Sequence, residues 1–458
     1  MTSVAAASGK PDDSAVDIVL DILRSDDKQM QAVAISMVRE MPGTGVTKAL
    51  AKELPNLSAS GQIQLLSALA DRGDRSALPA VISAANVPDE SVRLAALKAL
   101  ERLGDASSVM FLAQRAATAT GAEQKAARES LYRLRGSDID GTILTNIERA
   151  DEAIKAELVR SIAQRNIYAG VKTLLKTAQD LDSNVRLESF KALKDVANEE
   201  HLPALIELLL NMQEQSERRE AEDAIAVVAI RRTPYGDRID DTSRRADAVL
   251  AVLPSVKDVK SRCSLLSVLG RIGSDNSLPV LKDALNDEDV EVRDTAVRAL
   301  SQWPNPAPID ILLKIAEESE NNEQRTTNHE LHRVLALRGF IRLVGLDNNR
   351  PPEETISLYR QAMNLAPDAS LKKLAISGLA DVESIAALNM AAEYLEDESL
   401  KQEAEFAVLK IAETMHKSHP QDTKTALQKV FQTTESDLMR DKAMSLLKEI
   451  NGENIVGR

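Results

Sequence analysis

The chain has 458 residues, of which 43% are hydrophobic and only 2% aromatic, so its core is built from Ala, Leu, Val and Ile rather than from large rings. That composition fits helices packed closely through small side chains and gives little material for sheets. The formal net charge of -14 repels polyanions and argues against nucleic acid as a partner, and the single cysteine, Cys263, excludes an internal disulfide or a cysteine-based zinc site.

Residues 1–14 read as an N-terminal tail without the charged and apolar regions of a signal peptide, and no later window of 18 apolar residues exists for membrane insertion. From residue 15 onward one pattern recurs. It is clearest in DESVRLAALKALERLG (89–104), DSNVRLESFKALKDVA (182–197) and DVEVRDTAVRALSQWP (289–304). With Arg93 as anchor, a step of 31 residues lands on Gln31, Gln62, Gln124, Lys155 and Arg186, and the pattern continues at Arg218, Arg262, Arg293, Arg333, Lys372, Lys401 and Arg440. There are thirteen anchors in all.

Three columns follow from them. Three residues after the anchor the residue is small or apolar, as in Ala34, Ala96, Ala221 and Ala404; seven after, it is apolar in every unit, from Val38 to Leu447. These two positions share one face of a 3.6-residue helix, a packing stripe whose alanines let a neighbour approach. Four residues before the anchor, eleven of thirteen residues are Asp, Ser or Thr. They are the side chains that cap free N–H groups at a helix start, and an Asp there could also pair with the basic anchor four residues on. In the unit TTNHELHRVLALRGF (326–340) the cap slot falls on His329, with Asn328 as the alternative cap.

Between anchor helices lie second helices such as LPAVISAA (78–85), LPALIELLL (202–210) and LPVLKDAL (278–285), each with proline in the first turn, where its missing N–H costs nothing. Two helices per unit and no strand pattern predict an all-α fold: an α-solenoid, a superhelical array of about thirteen helical hairpins. It should run over 15–450 as one continuous domain, with a short tail over 451–458.

The pattern DxxVRxxAxxAL at a step near 31 resembles the HEAT-repeat family, most closely the short bacterial HEAT units also found in phycobilisome-lyase-like proteins. The resemblance covers roughly residues 15–450. It implies a non-enzymatic scaffold that binds a protein or peptide partner along a concave helical surface. The residues suggest no cofactor or metal, and with no signal peptide the expected location is the cytoplasm, or outside it if the chain is a fragment of an exported protein. A different class is an accessory HEAT module of a larger bacterial enzyme, including exported carbohydrate-active ones.

Departures from the regular step are where a solenoid carries function, because insertions emerge as loops. The largest lies between Arg218 and Arg262, where 44 residues replace 31; its loop, about 231–245, holds Arg231, Arg232, Tyr235, Arg238, Arg244 and Arg245, a basic cluster suited to an acidic peptide or phosphate. Alternatively these arginines pair with Asp237, Asp240 and Asp241. A second irregular stretch covers about 301–360 and offers Trp303, His329, His332 and Arg350 for contact, with Trp303 also readable as core. His329-Glu330-Leu331-His332 spaces its histidines three apart, not the four of a zincin helix. HEAT-like hydroxylases use several His-Glu dyads at matching repeat positions, whereas this chain has only the one, so no catalytic or metal site is expected.

Overall fold

Each of the thirteen anchors lies on a helix of its own, and a second helix precedes each one. The structure is a computed structural model that describes residues 13–25, 27–231, 242–321, 327–347 and 349–452; among them there is no strand. The chain divides into two units, Met1–Ala224 and Ile225–Arg458, each an all-helical α-solenoid.

The first unit holds α1 (Asp13–Arg24), α2 (Lys28–Glu40), α3 (Thr44–Glu53), α4 (Ala59–Arg72), α5 (Leu78–Ala84), α6 (Glu90–Leu103) and α7 (Ser108–Thr118). It continues with α8 (Gly121–Arg133), α9 (Ile139–Ile147), α10 (Glu152–Gln164), α11 (Val171–Thr177), α12 (Ser183–Val196), α13 (Leu202–Leu210) and α14 (Gln215–Ile230), whose residues from Ile225 on count with the second unit. The second unit holds α15 (Asp247–Val252), α16 (Val259–Ile272), α17 (Leu278–Ala284), α18 (Val290–Ser301), α19 (Ile309–Asn321) and α20 (Thr327–Val344). After these come α21 (Pro352–Leu365), α22 (Ala369–Leu379), α23 (Ile385–Ala392), α24 (Lys401–Met415), α25 (Pro420–Thr433) and α26 (Asp437–Ile450).

Even-numbered helices carry the anchors and pack on one another in succession: α2 on α4, α4 on α6 and α6 on α8 in the first unit, and α16 through α26 in the second. The stripe explains why. All thirteen residues three after the anchor are fully buried, and so are twelve of the thirteen at seven after, Leu447 being the half-exposed exception. Each fully buried Leu or Ile contributes about 1.5–3 kcal/mol relative to leaving it in water, and the alanines between them set how close the helices come. Most odd-numbered helices pair with the even helix that follows, as α5 with α6 and α17 with α18, and so form a second layer in each unit.

The cap column does what its chemistry dictates. Asp27, Ser58, Asp89, Asp151, Asp182, Asp258, Asp289, Asp368 and Ser436 each accept a hydrogen bond from a backbone N–H in the first turn of their helix. Thr120 makes no such bond, and Asp397 accepts instead from Ser399 N ahead of α24. Arg93, Arg186 and Arg293 form no ion pair with Asp89, Asp182 and Asp289, contrary to the expected pairing four residues apart. Their side chains turn back to the carbonyls of the preceding turn: Arg93 Nη1 donates to Val87 O (3.1 Å) and Pro88 O (2.7 Å), Arg186 Nη1 to Asp180 O (2.7 Å) and Leu181 O (2.8 Å), and Arg293 Nη1 to Asp287 O (2.6 Å) and Glu288 O (2.9 Å). Gln62 Nε2 does the same with Leu57 O at 2.9 Å, which is why Gln and Arg share the column. These carbonyls lie in the connection between an odd helix and the next even one, outside either helix, so a donor there completes the turn.

Several anchors also tie one unit to the next. Arg93 reaches Glu123 at 3.0 Å, and Arg186 reaches the buried Glu217 at 2.5 Å. Between α8, α10 and α12, Glu157 is buried and accepts from Arg128 (2.6 Å) and Arg160 (2.6 Å), while Arg160 continues to Glu188 (2.9 Å).

Candidate partner-binding grooves

Two neighbouring grooves open in the odd layer of the second unit, beside its two shortest helices. α15 has six residues and α17 seven, against 14 and 12 for α16 and α18. A groove of about 630 Å³ lies between α15 and α17 over Leu250, Leu253, Val256 and Leu266. The next, about 830 Å³, lies between α17 and α19 and has a floor of Leu285, Val290, Val297, Ile311 and Ile315. Val290, the first residue of α18, keeps 43% of its surface in water. Around this floor stand Lys282, Arg293 and Lys314 on one side of the charge balance and Asp310 and Glu318 on the other, with Lys314 and Glu318 paired across one turn of α19 at 3.4 Å. An apolar floor inside a charged rim is the anatomy of a surface that takes up an apolar side chain and fixes its flanks by polar contacts.

His329 and His332 close one end of the larger groove. His332 Nε2 stands 2.5 Å from Asp294 Oδ1, so that nitrogen carries the proton and the ring is held by a carboxylate of α18. His329 is not the cap. α20 begins at Thr327, three residues earlier than a cap at His329 implies, and His329 sits inside the first turn with its side chain on the groove. Among the described residues no three His, Cys, Asp or Glu side chains come together in a metal-binding arrangement.

The structure separates the other candidates from this site. Arg231 is exposed at the end of α14, Arg244 is exposed and Arg245 half-buried in the 3-10 turn leading into α15, and none of the three lines the histidine groove. Arg232, Tyr235 and Arg238 lie outside the described residues. Trp303 is corrected to a core residue: its ring is fully buried, Nε1 donates to Asn305 Oδ1 (3.1 Å), and its carbonyl accepts from Arg342 (2.6 Å). Arg350 is likewise structural, with a side chain only 11% exposed that donates to Val344 O (3.2 Å) and pairs with Asp347 (3.0 Å), finishing the C-terminus of α20. Sequence reasoning missed the groove floor. One signal was present: most anchor helices begin with a polar or small residue after the cap, whereas α16 and α18 begin with Val259 and Val290.

Comparison with protein families matches HEAT repeats to residues 47–132, 142–226 and 246–330, together more than half of the chain. Comparison with curated proteins finds no match. Among solved structures the chain is similar to the karyopherin Kap121p bound to Nup53p, at 14% identity and a TM-score of 0.50, covering 97% of this chain and 55% of that one. It is similar also to Kap121p bound to Ste12p, at 13% identity and a TM-score of 0.50, covering 97% and 54%. The chain thus spans about 55% of the length of the solenoids it matches, and at such identities the likeness concerns the fold. With anchors, caps, stripes and helical pairs all in register, the chain belongs to the HEAT-repeat family.

Proposed function

We propose that this protein is a non-enzymatic scaffold that binds a segment of a protein partner along the odd-numbered helices, with the grooves between α15, α17 and α19 as the principal contact. The observation that carries this reading is the pair of adjoining grooves, about 630 and 830 Å³, whose apolar floor includes the exposed Val290. Kap121p, a solenoid of similar fold, is seen bound to Nup53p and to Ste12p, which supports the same use of the architecture here. Mechanistically, the even layer with its buried stripe and carboxylate–arginine ties keeps the odd helices at fixed spacing, so a partner meets a preorganised surface and loses less ordering entropy on binding.

A photo-crosslinking residue at Ile311 should trap the partner, and the same residue at Lys98 on the even layer should not. With the identified partner purified, Val290→Asp should weaken binding by about tenfold or more, because it sets a charge on the desolvated floor. It should leave the fold intact, since an acidic residue is favourable at a helix start. Crosslinks from Lys98 alone, or an unchanged affinity for Val290→Asp, would overturn the assignment of this face.

A further inference from the structure

The even layer of the second unit contains a different cavity, about 1090 Å³, between α20 and α22. α20 lines it with Arg338, Ile341 and Arg342, and α22 with Lys373, Leu374 and Ser377. Its floor is unusual. Tyr359 of α21 passes between the two even helices, 1% exposed, and its hydroxyl emerges against Gly345 and Gly378, both of which line the cavity. A Cβ at 345 would stand 3.1 Å from that hydroxyl, and one at 378 would overlap the ring, 2.5 Å from Cζ; glycine at both positions is what lets the phenol reach through. The hydroxyl forms no hydrogen bond among the described residues, and since Tyr359 lines the cavity its oxygen is open there to a ligand or to water. Burial pushes the phenol up to about 12, so at neutral pH it is a donor.

Charge in the cavity is positive on balance. The two carboxylates at its rim are already paired, Glu403 with Lys373 (3.1 Å) and Asp381 with Lys410 (2.5 Å), while the second oxygen of Glu403 is buried without a hydrogen-bond partner. That leaves Arg338 and Arg342 in surplus. Arg342 is fixed in the wall by its bonds to Ser301 O (2.9 Å) and Trp303 O (2.6 Å), and Arg338 is exposed and pairs with no carboxylate among the described residues. Leu346 and Leu374, 45% and 41% exposed, supply an apolar flank.

We propose that this cavity binds a small phosphate monoester, with the dianion held by Arg338, Arg342 and the Tyr359 hydroxyl and the organic group on Ile341, Leu346 and Leu374. Two surplus guanidinium groups match a dianion, and planar guanidinium donors suit phosphate oxygens. The site lies on the even layer and does not depend on the partner-binding grooves. Calorimetric titration of the full chain with phenyl phosphate, benzoate and benzyl alcohol tests it. Phenyl phosphate should bind with one-to-one stoichiometry and more tightly than benzoate, and benzyl alcohol should give no saturable signal. Arg338→Gln, at an exposed position that the fold does not need, and Tyr359→Phe, which keeps the ring, should each lower phenyl phosphate affinity by about tenfold. Absence of saturable binding at millimolar phenyl phosphate, equal affinity for benzoate, or affinity insensitive to both substitutions would overturn the proposal.

Discussion

Gly270→Ala sets two effects of opposite sign against each other, and the structure decides which wins. Gly270 lies in α16 where that helix crosses α18, and a methyl group there would stand 2.6 Å from Ala299 Cβ, 2.8 Å from Ala299 Cα and 3.0 Å from Ala299 O. Replacing glycine by alanine inside a helix gains about 1 kcal/mol in propensity. Carbon atoms rest about 3.5–4.0 Å apart, so the two helices must separate by roughly 1 Å. Two of the three colliding atoms are backbone and cannot rotate away, which places the overpacking cost near the top of its usual range, about 3 kcal/mol. The net expectation is destabilisation of about 1–2 kcal/mol, or several degrees in Tm for a unit of this size. Gly45→Ala is the matched control: it sits in the first turn of α3 with nothing within 4 Å of the added methyl, and should stabilise by about 0.5 kcal/mol. Urea unfolding followed by circular dichroism reads both variants, and hydrogen exchange of the α16 and α18 amides locates the damage. If Gly270→Ala stabilised the protein as Gly45→Ala does, the argument that alanine and glycine set the even-layer spacing would fail.

Two further outcomes are expected. Glu157→Gln leaves Arg128 and Arg160 facing a neutral amide at a buried position; because both arginines keep part of their surface in water, the cost should fall at the low end of the range for breaking a buried pair, about 3 kcal/mol, and an unchanged urea midpoint would refute the role of that tie. In acid, Glu53, Glu148 and Asp287 are the groups to watch. The hydrogen bonds from Arg24, Lys176 and Arg262 respectively hold their carboxyls below the usual range, so the stability they contribute is complete above about pH 5 and is lost as pH falls through the unfolded and then the lower folded values. Thermal melts should therefore be flat from neutral pH down to about pH 5 and drop below that; a midpoint that rose on acidification would reverse the sign of the argument.

How much of this was legible in the chain varies with the range of the interaction. The cap at Asp89, the stripe at Ala96 and Leu100, and the proline entry of α17 at Pro279 are local: each depends on residues within one or two turns, and the 31-residue step repeats them often enough to read. The same locality misled at two points. Asp and Arg four residues apart look like a helical ion pair, yet Arg93 and Arg186 satisfy carbonyls behind them and carboxylates about 30 residues ahead, an option visible only once units are stacked. His329 fell in the cap column by register, but α20 starts at Thr327 and puts it on a groove wall.

The sequence by itself determined the helical class, the two-helix repeat, the thirteen anchors and which face of each anchor helix is buried, because period and capping are set by neighbours along the chain. Tertiary structure alone decided what remains open between the helices. Trp303 sank into the core and Arg350 became a helix end-piece, while Val290, Ile311, Arg338 and Tyr359, unremarked in the sequence, came to line cavities. Whether a side chain faces a neighbour or an opening depends on helix length and on approach distance between units, here the seven residues of α17 and the glycines at 345 and 378, and those are properties of packing rather than of any one segment.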